Sequence, residues 1–427
     1  MKNTIWILVL LLGLWGCGDD DESGFDTMIP HENISFKAIP GGAIMYYDFK
    51  GHKDVFSVRA RYTTTRGESL IVDGTYLSDS LKLIGFDDAR QGVPVYLTFL
   101  NNKLEESGEM ELAFDTEDSA PAAFFKSVKV LPGWNGFQVN YKAPETTGLL
   151  HVFYLGVNPL TNEPDTIWLQ STTITKGYNT LSFSLQQERE SNTVILTTED
   201  VRGYRVKRQV WENVEAYTIT RFPSDKIKVE DPCGIVVENE SYRLGSKYLF
   251  DGDTKGVQRR GMDNPARQYC LFGLGPNAFE KHWILDLGKE QMIAKLRIFA
   301  AYAWEAMEFG WYFGGGKFYD RFPNKLTIYG GNDLDSEEGW EQLAYFYESP
   351  LLPGWAAKSS TPVKEVAVLE RSEPIYADLN CIANGKEYRY IKIVPHNTFC
   401  YVDAGIGSQN KNKAVVLSEL EVYVKKE

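Results

Sequence analysis

The stretch from Ala300 to Pro323 is dense in aromatic side chains and glycines. Its rings include Tyr302, Trp304, Phe309, Trp311, Tyr312, Phe313, Phe318 and Tyr319. A solvated loop does not need so many rings. Exposed aromatic rings can stack on the apolar faces of sugars, while Glu305, Asp320 and Arg321 could hydrogen-bond hydroxyl groups. The alternative is that the rings pack this segment, the aromatic insertion, onto its own domain.

Two further segments could border the same surface. One is the tip from Ser349 to Trp355, and the other is the loop from His396 to Lys413. We therefore predict a carbohydrate-binding surface, and its expected residues are Tyr302, Trp304, Trp311, Tyr312, Tyr319, Arg321 and Trp355.

The rest of the inventory offers no recognisable catalytic site. The five histidines do not form His-Glu-x-x-His or another metal spacing, and Gly-x-Ser-x-Gly is absent. Gly314–Gly316 is not followed by the Lys-Ser/Thr of a phosphate loop. The close carboxylates Glu305 with Glu308 and Asp333 with Asp335 are more typical of solvated loops than of an acid/base pair. We predict that the protein is not an enzyme.

Length and charge limit the class of protein. A chain of 427 residues suggests about three domains. The net charge of −13 argues against a nucleic-acid partner, because such proteins present basic surfaces.

The N-terminus has the pattern of a targeting segment. Lys2 precedes the apolar run Ile5–Trp15, which is too short to span a bilayer. The end of this segment, Leu14–Cys17, resembles a bacterial lipobox, which implies cleavage before a lipidated Cys17. An acidic tether, residues 18–30, follows. The chain resembles Bacteroidetes-type lipoproteins, and in these the resemblance implies that acidic residues just after the lipidated Cys are a signal for export to the outer surface of the outer membrane. The alternative is a plain cleaved signal peptide.

Two segments of similar pattern come next. Each begins with a strand ending in Pro-Gly, at Phe36–Gly41 and Val128–Gly133, and continues as short strands separated by Gly, Pro, Asn and Asp. The spacing resembles immunoglobulin-like sandwiches of the fibronectin type III kind. We predict two such domains, 31–115 and 118–224, joined by the linker Asp115–Pro121.

The C-terminal part is organised around His282–Phe299. Trp283–Leu287 and Ile293–Phe299 read as two strands separated by a polar corner at Gly288. In the second run Ala294, Leu296 and Ile298 form an apolar face, as expected of a sheet packed on another sheet.

This order of motifs resembles the discoidin family, also called coagulation-factor C-type or galactose-binding-like domains. The matching segments are Leu249–Asp253, Trp283–Gly288, Lys325–Tyr329, Trp340–Leu343, Arg389–Ile393 and Leu417–Tyr423. The resemblance covers 226–427 and implies a jelly-roll sandwich whose loops at one end bind ligand, commonly sugars. The predicted fold is therefore all-β, with two fibronectin-like sandwiches followed by a discoidin-like one. The whole arrangement resembles an uncharacterised lipoprotein family associated with glycan-uptake systems of gut Bacteroidetes.

The same resemblance implies a structural Ca²⁺ site. Asp251-Gly252-Asp253 is similar to the family's calcium loop, which is completed by a Glu of the closing strand, here Glu419 or Glu421. Hard oxygen ligands from a tight turn suit this ion. The alternative is an ordinary Asp-Gly turn. Four cysteines, Cys233, Cys270, Cys381 and Cys400, permit disulfides in an exported protein or remain free thiols.

The sequence therefore predicts a glycan-capturing surface lipoprotein, anchored to the outer membrane only through Cys17. Two other functions stay open. The aromatic insertion could contact another subunit of an outer-membrane uptake complex, since exposed apolar patches also mark protein interfaces. The third possibility is an enzyme whose site the sequence does not reveal.

Overall fold

A computed structural model describes residues 25–258, 269–303, 318–336, 338–349, 354–360, 363, 365–400 and 412–427. The described part is almost entirely β-structure, with two short α-helices, so the predicted fold class is confirmed. The chain forms two compact units. One comprises residues up to 129 with 139–181 and 193–211, and the other comprises 130–138, 182–192 and 212–427.

The first sandwich consists of seven antiparallel strands. They are β1 (Ile34–Ile39), β2 (Gly42–Tyr47), β3 (Ser57–Thr63), β4 (Ser69–Thr75), β5 (Ser80–Ile84), β6 (Val93–Leu100) and β7 (Met110–Phe114). One sheet has the order β1-β2-β5 and the other β4-β3-β6-β7. Alternation decides which face is buried: Val58, Ala60 and Tyr62 of β3 point into the core, while Arg59 and Arg61 lie on the outer face.

A short helix corrects one detail of the sequence reading. The last two residues of the predicted linker Asp115–Pro121 belong to α1 (Ala120–Ser127). The side chain of Ser119 accepts a hydrogen bond from the amide of Ala122, and Pro121 lies in the first turn, where it is tolerated. Both are helix-start signals, and the buried rings of Phe124 and Phe125 hold the helix in place.

Seven more strands follow. They are β8 (Lys129–Trp134), β9 (Gly136–Ala143), β10 (Leu149–Val157), β11 (Pro164–Thr173), β12 (Gly177–Ser184), β13 (Ser191–Glu199) and β14 (Arg205–Tyr217). Strand β10 pairs antiparallel with β11 and β13. These strands are divided between the two units, and the predicted boundaries at 115/118 and 224/226 stay a prediction.

The C-terminal region forms a sandwich of a different type. We call it the third sandwich, because it follows the first sandwich and strands β8–β14. Its elements are β15 (Ile219–Arg221), β16 (Lys228–Glu230), β17 (Phe272–Leu274), β18 (Trp283–Gln291), β19 (Ile293–Ala300), β20 (Pro323–Gly331), β21 (Glu341–Tyr347), α2 (Val366–Arg371), β22 (Ile375–Asn380), β23 (Tyr388–Thr398), β24 (Val415–Leu417) and β25 (Glu419–Lys425). Its two main sheets have the orders β15-β25-β19-β22 and β16-β18-β23-β20-β21, and β17 pairs with β24.

The core of the third sandwich lies where the sequence predicts it. Trp283 and Leu285 of β18 and Leu296 and Ile298 of β19 are buried in one cluster. The predicted corner at Gly288 is wrong, because β18 runs on to Gln291. Gly288 instead lies at φ +73°, within an irregular stretch of the β18–β23 pairing, and its amide donates to Asp286 Oδ1 at 2.7 Å. Glycine suits this left-handed conformation.

The cysteines and the helices have simple outcomes. Cys233 and Cys381 are free thiols. Burial raises the pKa of the Cys381 thiol to about 12. Among the described residues, no helix is long and apolar enough to cross a membrane.

Candidate functional site

One end of the third sandwich, which we call the loop end, gathers the predicted site segments. Strand β19 ends at Ala300, where β22 begins, and β25 begins opposite Phe299. On the other sheet, Pro323 at the start of β20 pairs with Thr398 at the end of β23. Antiparallel pairing therefore brings the two described stems of the aromatic insertion and the segment that leads into β22 to the same end. Hydrogen bonds from Leu420 to Leu249 and from Gly252 to Glu419 hold the acidic loop 251–258 there.

The first stem of the aromatic insertion, residues 300–303, is held by backbone hydrogen bonds. The amide of Tyr302 donates to the carbonyl of Lys255 at 3.0 Å, and that of Ala303 donates to Ser359 at 3.2 Å. The amide of Val363 donates to Ala303 at 2.7 Å. Gly256 lies against Ala301, where an added Cβ would come within 2.6 Å of the alanine methyl. The first stem is thus fixed between two neighbouring segments.

The described aromatic side chains serve partly as supports. Tyr302 is half-buried, and its hydroxyl donates to the carbonyl of Glu373 at 2.6 Å. Trp355 is also half-buried, donates from Nε1 to the carbonyl of Pro323 at 2.9 Å and packs edge-on against Phe322 at 5.7 Å. Both side chains are only partly buried, and contact with a ligand stays a prediction for both.

Arg321 has a different setting from the one expected of a surface ligand. It is fully buried in the second stem. A role for Arg321 in hydrogen-bonding a sugar stays a prediction.

The remaining predicted contacts are not part of the description. Trp304, Trp311 and Tyr312 lie outside the described residues, as does Cys17. For Tyr319 only the backbone is described, in the short 3-10 helix Phe318–Arg321.

The acidic loop is ordered by its own carboxylates. Asp253 accepts hydrogen bonds from the amides of Val257 and Gln258, both at 2.8 Å. Asp251 accepts from the amide of Asp253 at 2.9 Å and from the side chain of Gln258 at 2.8 Å. Gly252 has φ +85°, a left-handed conformation that makes the turn possible.

Glu419 closes this loop from the start of β25. Its Oε2 accepts the amide of Gly252 at 2.9 Å, while no donor group of the protein reaches the buried Oε1. A hydrogen bond between the side chains of Glu419 and Asp251 requires a proton on one of the two carboxylates. The side chain is fully buried. Burial is the main cause that raises its pKa to about 8, and the nearby charge of Asp251 adds to this, against the lowering effect of the Gly252 amide. The pKa of Asp251 is also raised, again chiefly by burial.

These observations bear on the predicted calcium. A buried, unsatisfied carboxylate oxygen beside a second carboxylate fits a cation, because a positive charge would favour the ionised form of both. Both carboxylate oxygens of Asp253 already accept backbone amides, so this residue fits less well. Among the described residues, no group of three or more His, Cys, Asp or Glu is arranged to hold a metal. A site here would need backbone carbonyls as further ligands, and calcium stays a prediction.

Sequence reasoning did not single out three residues that tie the acidic loop to its surroundings. Ser418 donates from Oγ to the carbonyl of Asp253 at 3.0 Å, Lys255 donates from Nζ to the carbonyl of Glu370 at 2.8 Å, and Gln258 bridges to Asp251. The signals available were the position of Ser418 next to Glu419 and that of Gln258 seven residues after Asp251, whereas Lys255 and Glu370 are far apart in the chain.

A family model matches part of the chain. Residues 29–116 match a domain of unknown function, DUF4959. The match covers the first sandwich and none of the loop end. No curated protein matches the sequence.

Three solved structures to which this chain is similar are a SusE-like protein, a carbohydrate-binding module and a fucolectin. A SusE-like protein shares 14% identity with a TM-score of 0.41, over 72% of this chain and 99% of its own. A carbohydrate-binding module, CBM32-1, of a Clostridium perfringens family 31 glycoside hydrolase shares 15% identity with a TM-score of 0.26, over 47% of this chain and 96% of its own. A fucolectin from striped bass serum shares 15% with a TM-score of 0.28, over 71% and 88%. At this level of similarity, the functions of those proteins do not transfer to this chain.

Proposed function

We propose that this protein is a lipid-anchored cell-surface protein of the Bacteroidetes type that captures a glycan at the loop end of its third sandwich. One observation carries the proposal. Both stems of the aromatic insertion, whose sequence holds eight rings from Tyr302 to Tyr319, join a buried sandwich core at the loop end.

Fixed stems matter because a sugar platform must be ordered before the ligand arrives. Binding loses free energy when loops and side chains have to be immobilised, so a segment held at both ends loses less. Here Phe322 and Trp355 pack under one stem, and Lys255 and Ser359 hold the other. Rings carried by such a base can stack on sugar faces while neighbouring polar groups bind hydroxyls.

The first prediction concerns two rings of the insertion. Trp304→Ala and Trp311→Ala should each weaken glycan binding about tenfold or more, if stacking on a sugar is similar to the ~1–3 kcal/mol measured for stacking on a base. Isothermal titration, after a glycan array has identified the ligand, measures the loss. Thermal melts of the same variants should stay unchanged.

A matched control is Trp168→Ala, which removes a largely exposed tryptophan from β11, outside the third sandwich. It should leave the affinity unaltered. A lowered melt with retained affinity in the Trp304 and Trp311 variants would instead mean that these rings are core residues, since losing a packed ring costs about 3–5 kcal/mol. A different result would favour the alternative function, contact with another subunit of an outer-membrane uptake complex. In that case no glycan on the array binds, and the protein captures outer-membrane proteins only when Trp311 is present.

The second prediction concerns the anchor. Cys17→Ala should abolish labelling with fatty acid and release the protein from the membrane fraction, because the apolar run before Cys17 is too short to span a bilayer. Metabolic labelling and fractionation of cells provide the measurement. A Cys17→Ala protein that still takes up fatty acid and sediments with membranes would contradict the proposed anchor.

A further inference from the structure

The first sandwich has two ends that differ in what they expose. Strands β1, β3, β5 and β7 begin, and β2, β4 and β6 end, at the end where the chain enters from its N-terminus. We call this the entry end, and it consists of 25–33, 48–56, 76–79 and 101–109. The opposite end carries the connection to α1. The two ends are therefore fixed by strand pairing alone.

Large apolar side chains are exposed at the entry end. Leu77 is 82% exposed, Leu104 68%, Tyr76 56% and Phe56 40%. Phe56 and Tyr76 lie on adjoining loops. The amide of Tyr76 donates to the carbonyl of Phe56 at 3.1 Å, and the two rings lie 5.1 Å apart. Such a group of exposed apolar residues on one surface is unusual for a soluble domain and marks a contact surface.

The N-terminal segment attaches at the same end. Ile29 is fully buried in the first core, Phe25 packs against that core, and the hydroxyl of Thr27 donates to Asp54. Cys17 lies eight residues before Phe25, and an extended chain of that length reaches at most about 28 Å. A lipid on Cys17 would therefore keep the entry end within that distance of the bilayer.

We propose that the entry end of the first sandwich rests on the lipid surface, with Phe56, Tyr76, Leu77 and Leu104 inserted at the interface. The proposal rests on the lipid anchor proposed for Cys17. Apolar side chains at such a surface enter the boundary between headgroups and acyl chains, about 5–10 Å deep. The contact orients the protein, while the anchor supplies the attachment.

Charge specifies the kind of lipid. The entry end has more carboxylates than lysines; the carboxylates include Asp26, Asp48, Asp54, Asp79 and Glu105, and the lysines are Lys50, Lys53 and Lys103. An excess of negative charge is repelled by anionic headgroups. The contact is thus apolar, suits zwitterionic lipid and should resist salt.

The test attaches the mature chain, residues 18–427, by an N-terminal histidine tag to phosphatidylcholine vesicles that contain a nickel-chelating lipid. An environment-sensitive dye is placed at Leu77→Cys or Leu104→Cys, and the dye bound to the native cysteines is subtracted. Leu160→Cys, in the exposed turn between β10 and β11, is the control. Because the tag replaces the lipid, the result does not depend on modification of Cys17.

We expect the dye at 77 and 104 to shift to shorter wavelength on vesicles and to lose emission when brominated lipids are included, with no change at 160 and no reversal by salt. Unchanged spectra at 77 and 104 would overturn the proposal and leave a protein partner as the occupant of this end. Equal quenching at all three positions would also overturn it, since the dye alone would then drive insertion. Failure of Cys17 labelling in cells would remove the anchor on which the proposal rests, whereas the spectra on vesicles test the apolar contact itself.

Discussion

Two groups of carboxylates in the third sandwich show how differently the same chemistry is treated. Asp378 receives a bidentate pair of hydrogen bonds from Arg297, at 2.6 and 2.8 Å, and a third from Lys295 at 2.8 Å. Burial opposes its ionisation, but these cations outweigh it and lower the pKa. Hydrogen bonds from Arg389 likewise lower the pKa of Asp286.

Glu419 is more deeply buried than either aspartate, yet its nearest charged group in the loop is another carboxylate, Asp251. The two sites differ in their cations: among the described residues no cation pairs directly with Glu419, and Arg221 lowers the pKa of Glu419 only as the smallest of the causes. In stable proteins a buried carboxylate is normally either paired with a cation or protonated. A bound Ca²⁺ would give Glu419 what Arg297 gives Asp378.

The largest expected effect is on the pH dependence of the metal-free protein. The pKa of Glu419 is about 8 in the folded state against 4.5 ordinarily, so between these values the folded state holds a proton that the unfolded state has lost. Stability should therefore fall as pH rises through this window, by at most about 5 kcal/mol. Urea unfolding at pH 5 and pH 8 in chelator measures it.

Two variants separate the groups. Glu419→Gln should remove most of the loss between pH 5 and 8. Asp378→Asn should keep that loss and change only the acid side, because a lowered carboxylate pKa gives stability that disappears as pH falls below about 4. Equal slopes for wild type and Glu419→Gln would show that Glu419 does not titrate as described.

Calcium should produce the next largest effect. An ion that binds only the folded state stabilises it by about 2.7 kcal/mol at one hundred times its Kd. At pH 8 the melting temperature should rise with Ca²⁺ and fall with chelator. Glu419→Gln should lose this response, whereas Asp378→Asn should retain it. If chelation leaves the wild-type melt unchanged, the acidic loop is an ordinary turn.

The smallest effect is expected from the paired carboxylates themselves. Arg297→Met should cost about 1–3 kcal/mol, since Asp378 is partly buried and loses two charged hydrogen bonds. Arg389→Met should cost about 0.2–1 kcal/mol, because Arg389 is 42% exposed and Asp286, although its side chain is only 11% exposed, keeps the hydrogen bond from the Gly288 amide. Urea midpoints compare the two. Similar costs would mean that burial does not separate these pairs.

Much of the fold could be predicted because alternation along strands needs only neighbouring residues. The apolar face of Ala294, Leu296 and Ile298 and the order of segments in the third sandwich were both visible in this way. The corner at Gly288 was misplaced, because a left-handed glycine occurs both in turns and within irregular strand pairing. The helix start at Ser119 was visible in principle but was assigned to the linker.

The candidate site was less predictable. The sequence identified the aromatic insertion and the acidic loop as separate segments. It could not show that the side chains of Tyr302 and Trp355 donate hydrogen bonds to the carbonyls of Glu373 and Pro323, since each of these bonds joins residues distant in the chain. Nor could it show that Arg321 is buried.

The sequence by itself determined the all-β class, the acidic Asp-Gly-Asp turn and the concentration of rings between 302 and 319, because composition and local spacing decide these features. Only the tertiary structure decided which glutamate, Glu419 or Glu421, contacts the acidic loop. Two residues apart on one strand, they share a face, so alternation cannot separate them. Glu419 pairs with Phe299 at the loop end and meets the Gly252 amide, whereas Glu421 pairs one step inward with Arg297 and contacts Arg221 and Tyr423. Strand register, a non-local property, makes that choice.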